Sequence, residues 1–211
     1  MRLTHNPIAL VRREGKMLQR CFTMILLICW LFAGCAQLTY QQTEKGFFAG
    51  QLDVRWIEAN RFIYIPNPDA PLSFTTSQKK VIRPELMYTD GGSIPRFFWN
   101  VPGYSPWQYA PAYIIHDWLF EQHHCRLSDS SFEESATILA EAIKTIMESG
   151  KAPRDETTLL SIYEAVRSPI ARTVWDRENA CNRPKDVPRV KGAPAPGTRL
   201  FNIDMSDMPK Q

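Results

Sequence analysis

Lopsided charge is missing from most of this chain. Its 211 residues hold 25 Lys and Arg against 22 Asp and Glu. Five of those bases, Arg2, Arg12, Arg13, Lys16 and Arg20, sit in the first 20 residues beside a single acid, Glu14. Setting residues 1–34 aside removes five bases and one acid, leaving 20 against 21 and a net charge near −1. No clustered positive face is then left, which argues against a nucleic-acid partner. An apolar run of membrane-spanning length is also lacking: Cys21 to Phe32 falls short of the ~20 residues a bilayer crossing takes. Internal repeats are absent. Ser93 stands in neither a G-x-S-x-G nor an S-x-x-K context, which excludes the familiar settings of a serine nucleophile. Histidine is scarce, at four. The spacing of His116, His123, His124 and Cys125 matches no closed zinc site and is read as a solvated helix end.

What is present at the N-terminus is a targeting segment, to be set aside before fold reasoning. Basic residues lead into the apolar run, which ends in Ala33-Gly34-Cys35. This ending resembles the bacterial lipoprotein signal, where small residues precede a cysteine that becomes the lipidated first residue. Phe32 stands where such signals usually carry Leu. The basic segment is long for a signal, and Met17 is an alternative start. The resemblance implies a diacylglycerol thioether on Cys35 with an added amide-linked acyl chain, palmitate-type anchoring that holds durably because more than one chain is used. Ala36, in place of the aspartate associated with inner-membrane retention, implies the outer membrane, facing the periplasm. An uncleaved N-terminal anchor is the other reading. Both place the rest of the chain in the cell envelope. Of five cysteines, Cys21 and Cys29 leave with the signal and Cys35 takes lipid. Cys125 and Cys181 remain, either as one disulfide in an oxidising compartment or as two thiols.

The remaining 177 residues suit a single domain. Residues 35–46 read as a tether, 47–178 as the domain, and 179–211, with Pro184, Pro188, Pro194, Pro196 and Pro209, as a largely disordered or surface-draped tail. Gln51 to Glu58 alternates, with Leu52, Val54 and Trp56 on one side, as a half-buried strand does. Short strands are expected at Arg61 to Ile65, Leu72 to Thr76, Lys80 to Arg83 and Met87 to Thr89, each broken by turn formers. Helices follow: about Trp107 to Gln122; from the capping box Ser131-x-x-Glu134 to Gly150; about Arg154 to Arg167; and a short one after Ser168-Pro169. The fold class is therefore α+β, a small antiparallel sheet followed by three to four helices.

Tyr88 to Phe120 concentrates the chemistry. Asp90-Gly91-Gly92-Ser93 demands a turn, since consecutive glycines supply positive φ and allow close approach to the backbone. His116 and Asp117 ride the following helix. The order T-D-G-G-S-I-P-R, then A-x-x-I-H-D-W-L-F, resembles a family of small phage and bacterial proteins catalogued as domain of unknown function 1353. That resemblance runs over roughly Phe47 to Ile146 and implies no established activity. A weaker one is to secreted bacterial phospholipases A2, where a D-G-C-S turn and an H-D-x-x-Y helix carry a catalytic histidine and a calcium-binding aspartate. It implies His116 as general base and Asp117 with Asp90 as ligands of a hard cation such as Ca²⁺, polarising an ester carbonyl. Both families place an aspartate on the next helix. The matching position here falls near Ala136, and Glu133 is the closest substitute.

The plainer reading has His116 as a core residue, Asp117 bonding the Asp90 turn or Arg96, and Gly91, Gly92 and Ser93 as a tight turn only. Two functions are thus expected as alternatives: a non-catalytic envelope lipoprotein with a structural or interaction role, or a cation-assisted hydrolase of ester bonds, lipid esters included.

Overall fold

A computed structural model describes residues 24, 34–58, 61–90, 108–187 and 201–205. Its architecture is α+β. Among the described residues, seven strands form two antiparallel sheets. β1 (Phe47–Ala49), β4 (Ser73–Thr75) and β5 (Val81–Ile82) make the first, in the order β1-β4-β5. β6 (Met87–Thr89), β3 (Arg61–Tyr64), β2 (Gln51–Glu58) and β7 (Phe201–Asp204) make the second, in the order β6-β3-β2-β7. The chain passes from one sheet to the other at Gly50. Its φ is +86°, and a Cβ built there would lie 2.1 Å from the Pro71 carbonyl oxygen. Only glycine meets both demands.

Helix α1 covers residues 34–42. It is followed by α2 (Ala110–His124), α3 (Phe132–Glu148), α4 (Glu156–Val166) and α5 (Pro169–Trp175). The Ser131 hydroxyl caps α3 by accepting from the Glu134 N–H at 3.0 Å. The Glu134 carboxylate does not return the bond; it takes the Lys80 ammonium at 2.5 Å, so the expected capping box is half formed. Asp155 caps α4 and Ser168 caps α5, with Pro169 opening α5 where its missing N–H costs nothing.

One core joins sheets and helices. Phe48, Leu52, Tyr64, Phe74 and Met87 share a cluster with Tyr109, which precedes α2, and with Tyr113, Ile115 and Leu119 of α2, together with Leu139, Ile143 and Ile146 of α3. From Ala110 to Phe120 every residue of α2 is buried except Asp117. Such a helix has no solvated face of its own, which makes it the centre of the domain. In β2 the alternation holds for Leu52 and Val54 but fails beyond them. Trp56 is 46% exposed, next to a register shift between Trp56 and Glu58, while Asp53 is buried.

Two segments differ from expectation. Residues 35–46 are docked rather than a free tether. Ala36 and Tyr40, one helical turn apart, are buried, and the Tyr40 hydroxyl donates to Glu148 at 2.7 Å. Lys144 donates to the Thr43 carbonyl at 2.5 Å, and the Gly46 N–H to Thr145 at 2.9 Å. The tail also returns to the fold. β7 pairs with β2 from Gln51↔Asp204 to Val54↔Phe201, and Met205 is fully buried. Four ladder positions and one apolar anchor hold residues 201–205 to that sheet edge.

Candidate functional site

Thr89 ends β6, and α2 crosses beside it. The Thr89 hydroxyl donates to Asp117 Oδ2 at 2.6 Å, a bond between residues 28 apart in sequence. Asp90 follows directly, close enough for its charge to act on Asp117. The strand end and the helix thus bring Thr89, Asp90 and Asp117 into one neighbourhood. Burial and, after it, the Asp90 charge raise the Asp117 pKa and the Thr89 hydrogen bond lowers it, the balance pushing it up to about 8. Gly91, Gly92, Ser93 and Arg96 lie outside the described residues, as does Trp107, where the helix is expected to begin.

Successive helical residues point about 100° apart, so His116 looks elsewhere. It is 2% exposed, with its ring 4.8 Å from that of Phe120. Its Nε2 has no hydrogen-bond partner among the described residues. Burial holds its pKa down to about 4, so the imidazole is neutral at neutral pH. Glu133 stands apart from it: its side chain is 67% exposed and pairs with Arg172 at 3.0 Å. Ala136, the position matching the families' aspartate, is a fully buried core residue. Among the described residues, then, no carboxylate is placed to orient the imidazole.

Among the described residues, a hard cation at Asp117 would find two carboxylates and the Thr89 hydroxyl, fewer than the six to eight oxygens that Ca²⁺ takes. Their mutual repulsion does fit a cation. Sequence reasoning missed Thr89 as the partner of Asp117. The available signal was the threonine just before Asp90 in the T-D-G-G motif.

The end of α2 is half-buried. The His123 ring stacks on Trp175, centroids 4.0 Å apart, and a ring nitrogen of His124 lies 3.0 Å from the Val174 carbonyl oxygen. Cys125 is joined to Cys181 by a disulfide. The sulfurs being committed, their cluster with Glu121 offers no thiolate ligand. The bridge brings residues 181–183 against α2. The Asn182 N–H donates to Glu121 at 2.9 Å. Arg183 pairs with Glu85 and sits 5.0 Å over the Trp118 ring. Cys35 is an exposed free thiol near the start of the described part of α1. No helix among the described residues is long and apolar enough to cross a membrane.

Fold and site together define a small α+β domain built on a buried helix, with Asp117 of that helix tied to a strand end. Residues 69–155 match the family described as "Protein of unknown function (DUF1353)". The match begins ahead of β4 and ends before α4. It takes in Thr89, Asp90, His116, Asp117 and Glu133, but not Cys181 or β7. No curated protein and no solved structure matches the chain.

Proposed function

We propose that this protein is a non-catalytic, lipid-anchored component of the cell envelope in which the Thr89-Asp90 strand end and the His116-Asp117 turn of α2 lock the sheet to the central helix. The observation that carries this reading is the sealed imidazole. At 2% exposure and a pKa near 4, His116 is out of reach of an ester and a weak base. Glu133 is engaged with Arg172.

Support for the envelope comes from chemistry of two kinds. The Cys125–Cys181 disulfide suits an oxidising compartment, and the exposed Cys35 thiol follows a signal-like apolar run. Anchoring acts through α1. Because that helix is docked on α3, an acylated Cys35 would hold the domain close to the membrane in a restricted orientation. Growing cells on labelled palmitate tests this: label should enter the wild-type chain and be lost in Cys35→Ser. Label retained in the variant, or absent from both, refutes the anchor.

A second reading, a cation-assisted ester hydrolase, is favoured by one observation, the Asp90 charge acting on Asp117. There Asp117 and Asp90 hold the cation and His116 serves as base, which requires His116 to become accessible.

A further inference from the structure

A cavity of about 450 Å³ lies away from Asp117, between the end of α1, the turn joining β4 to β5, α3 and α4. That size falls in the range of small-molecule sites. Its deepest charged group is Glu141 of α3, 4% exposed. The carboxylate accepts the backbone N–H of Ser77 in the β4–β5 turn, and among the described residues it has no other hydrogen bond and no ion pair. A buried carboxylate without a cation is costly unless something compensates it.

The cations that line this cavity are committed elsewhere. Lys80 holds Ser130 at 2.7 Å and Glu134 at 2.5 Å. Arg167 lies 4.8 Å over the Tyr163 ring and 3.5 Å from Glu164. Lys144, one turn along α3 from Glu141 but outside the cavity wall, reaches the Thr43 carbonyl. Glu44 adds a further acid to the wall. Two hydroxyls of the wall add acceptors. Thr43 donates to the Thr39 carbonyl at 2.8 Å and Thr137 to the Glu133 carbonyl at 3.0 Å, which leaves their oxygens as acceptors. The wall is therefore rich in acceptors and short of free positive charge.

We infer that this cavity binds a small polar molecule through a protonated primary amine placed on Glu141. An ammonium brings three donors and one positive charge, which match the Glu141 carboxylate and the threonine oxygens. The Ser77 N–H keeps one carboxylate oxygen fixed, so the group is held in place before the ligand arrives.

Calorimetric titration of the full chain tests it with glucosamine, ethanolamine and cadaverine. Each is run against a neutral counterpart: N-acetylglucosamine, ethylene glycol and 1,5-pentanediol. The three amines separate an amino sugar, a lipid-headgroup amine and a polyamine as sources of the same group. At least one amine should bind saturably at one site, and the neutral counterparts should not. Glu141→Gln keeps the acceptor for Ser77 and removes the charge, and should weaken binding about ten- to a hundredfold, the worth of a charge-assisted hydrogen bond. Thr137→Tyr, at an exposed rim position of α3, should block the cavity and abolish binding even if Glu141→Gln fails to fold. Absence of binding by all three amines, equal binding of the neutral counterparts, or binding that survives both substitutions overturns the inference.

Discussion

Replacing Asp117 by Asn probes the junction of strand and helix most sharply. An unfolded aspartate titrates near 3.8, and burial beside Asp90 pushes this one up to about 8. The folded state therefore holds the proton more tightly than the unfolded state. The stability this contributes is complete below about pH 4 and drains away as pH rises through 8. A tenfold change in proton affinity is worth about 1.4 kcal/mol, so even half of this rise amounts to about 3 kcal/mol. Asn carries no charge and keeps an oxygen for the Thr89 hydroxyl, whose 2.6 Å bond is retained. Urea unfolding of wild type and Asp117→Asn at pH 4, 7 and 9 measures the difference. The two proteins should be nearly equal at pH 4, and the variant more stable by about 3 kcal/mol at pH 9. A gap that stays constant from pH 4 to 9, or one that favours the wild type at pH 9, refutes the argument. Calcium added at pH 9 separates the two functional readings. A cation bound between Asp90 and Asp117 would restore wild-type stability and leave the variant unchanged, whereas the lock predicts no calcium effect on either.

His116 should govern the acid side. Its pKa is lowered from 6.5 to about 4 by burial, so the stability it contributes is complete above pH 6.5 and lost as pH falls toward 4. The loss comes to about 3 kcal/mol, and His116→Phe should flatten that limb in the same unfolding assay. The Cys125–Cys181 bridge closes a separation of 56 residues, for which loop-closure entropy gives about 4 kcal/mol. The Cys125→Ser, Cys181→Ser double variant should unfold at correspondingly lower urea and expose residues near Arg183 to protease first.

The helices were legible where local chemistry announces them. Ser131 ahead of Glu134 and the stripe from Phe132 to Ile146 mark α3, and Ser168-Pro169 marks α5. The junction of Asp90 with Asp117 was legible as a turn and a helix that had to meet. Its partner Thr89 was not singled out, because a hydroxyl 28 residues away leaves no periodic trace. β7 was hidden for a similar reason. Its pairing with Gln51–Val54 spans about 150 residues, and residues 201–204 sit among prolines without the alternation that marks a strand. The docking of α1 rests on two side chains, Ala36 and Tyr40, too few to outweigh a glutamine- and threonine-rich composition. Glu141 lies beside Ala140 on a stripe wide enough to bury both, and a count of apolar positions passes over it. His116 illustrates a separate limit. An H-D pair on a helix reads alike whether the imidazole faces a cleft or the core, and only burial distinguishes the two.

Ester release by the purified protein, measured with and without Ca²⁺ for wild type and His116→Ala, tests the central claim most directly. A structural lock predicts equal background rates in all four conditions, together with a lower melting temperature for the variant. Turnover in the wild type that needs calcium and disappears with the imidazole, at unchanged melting temperature, would contradict it.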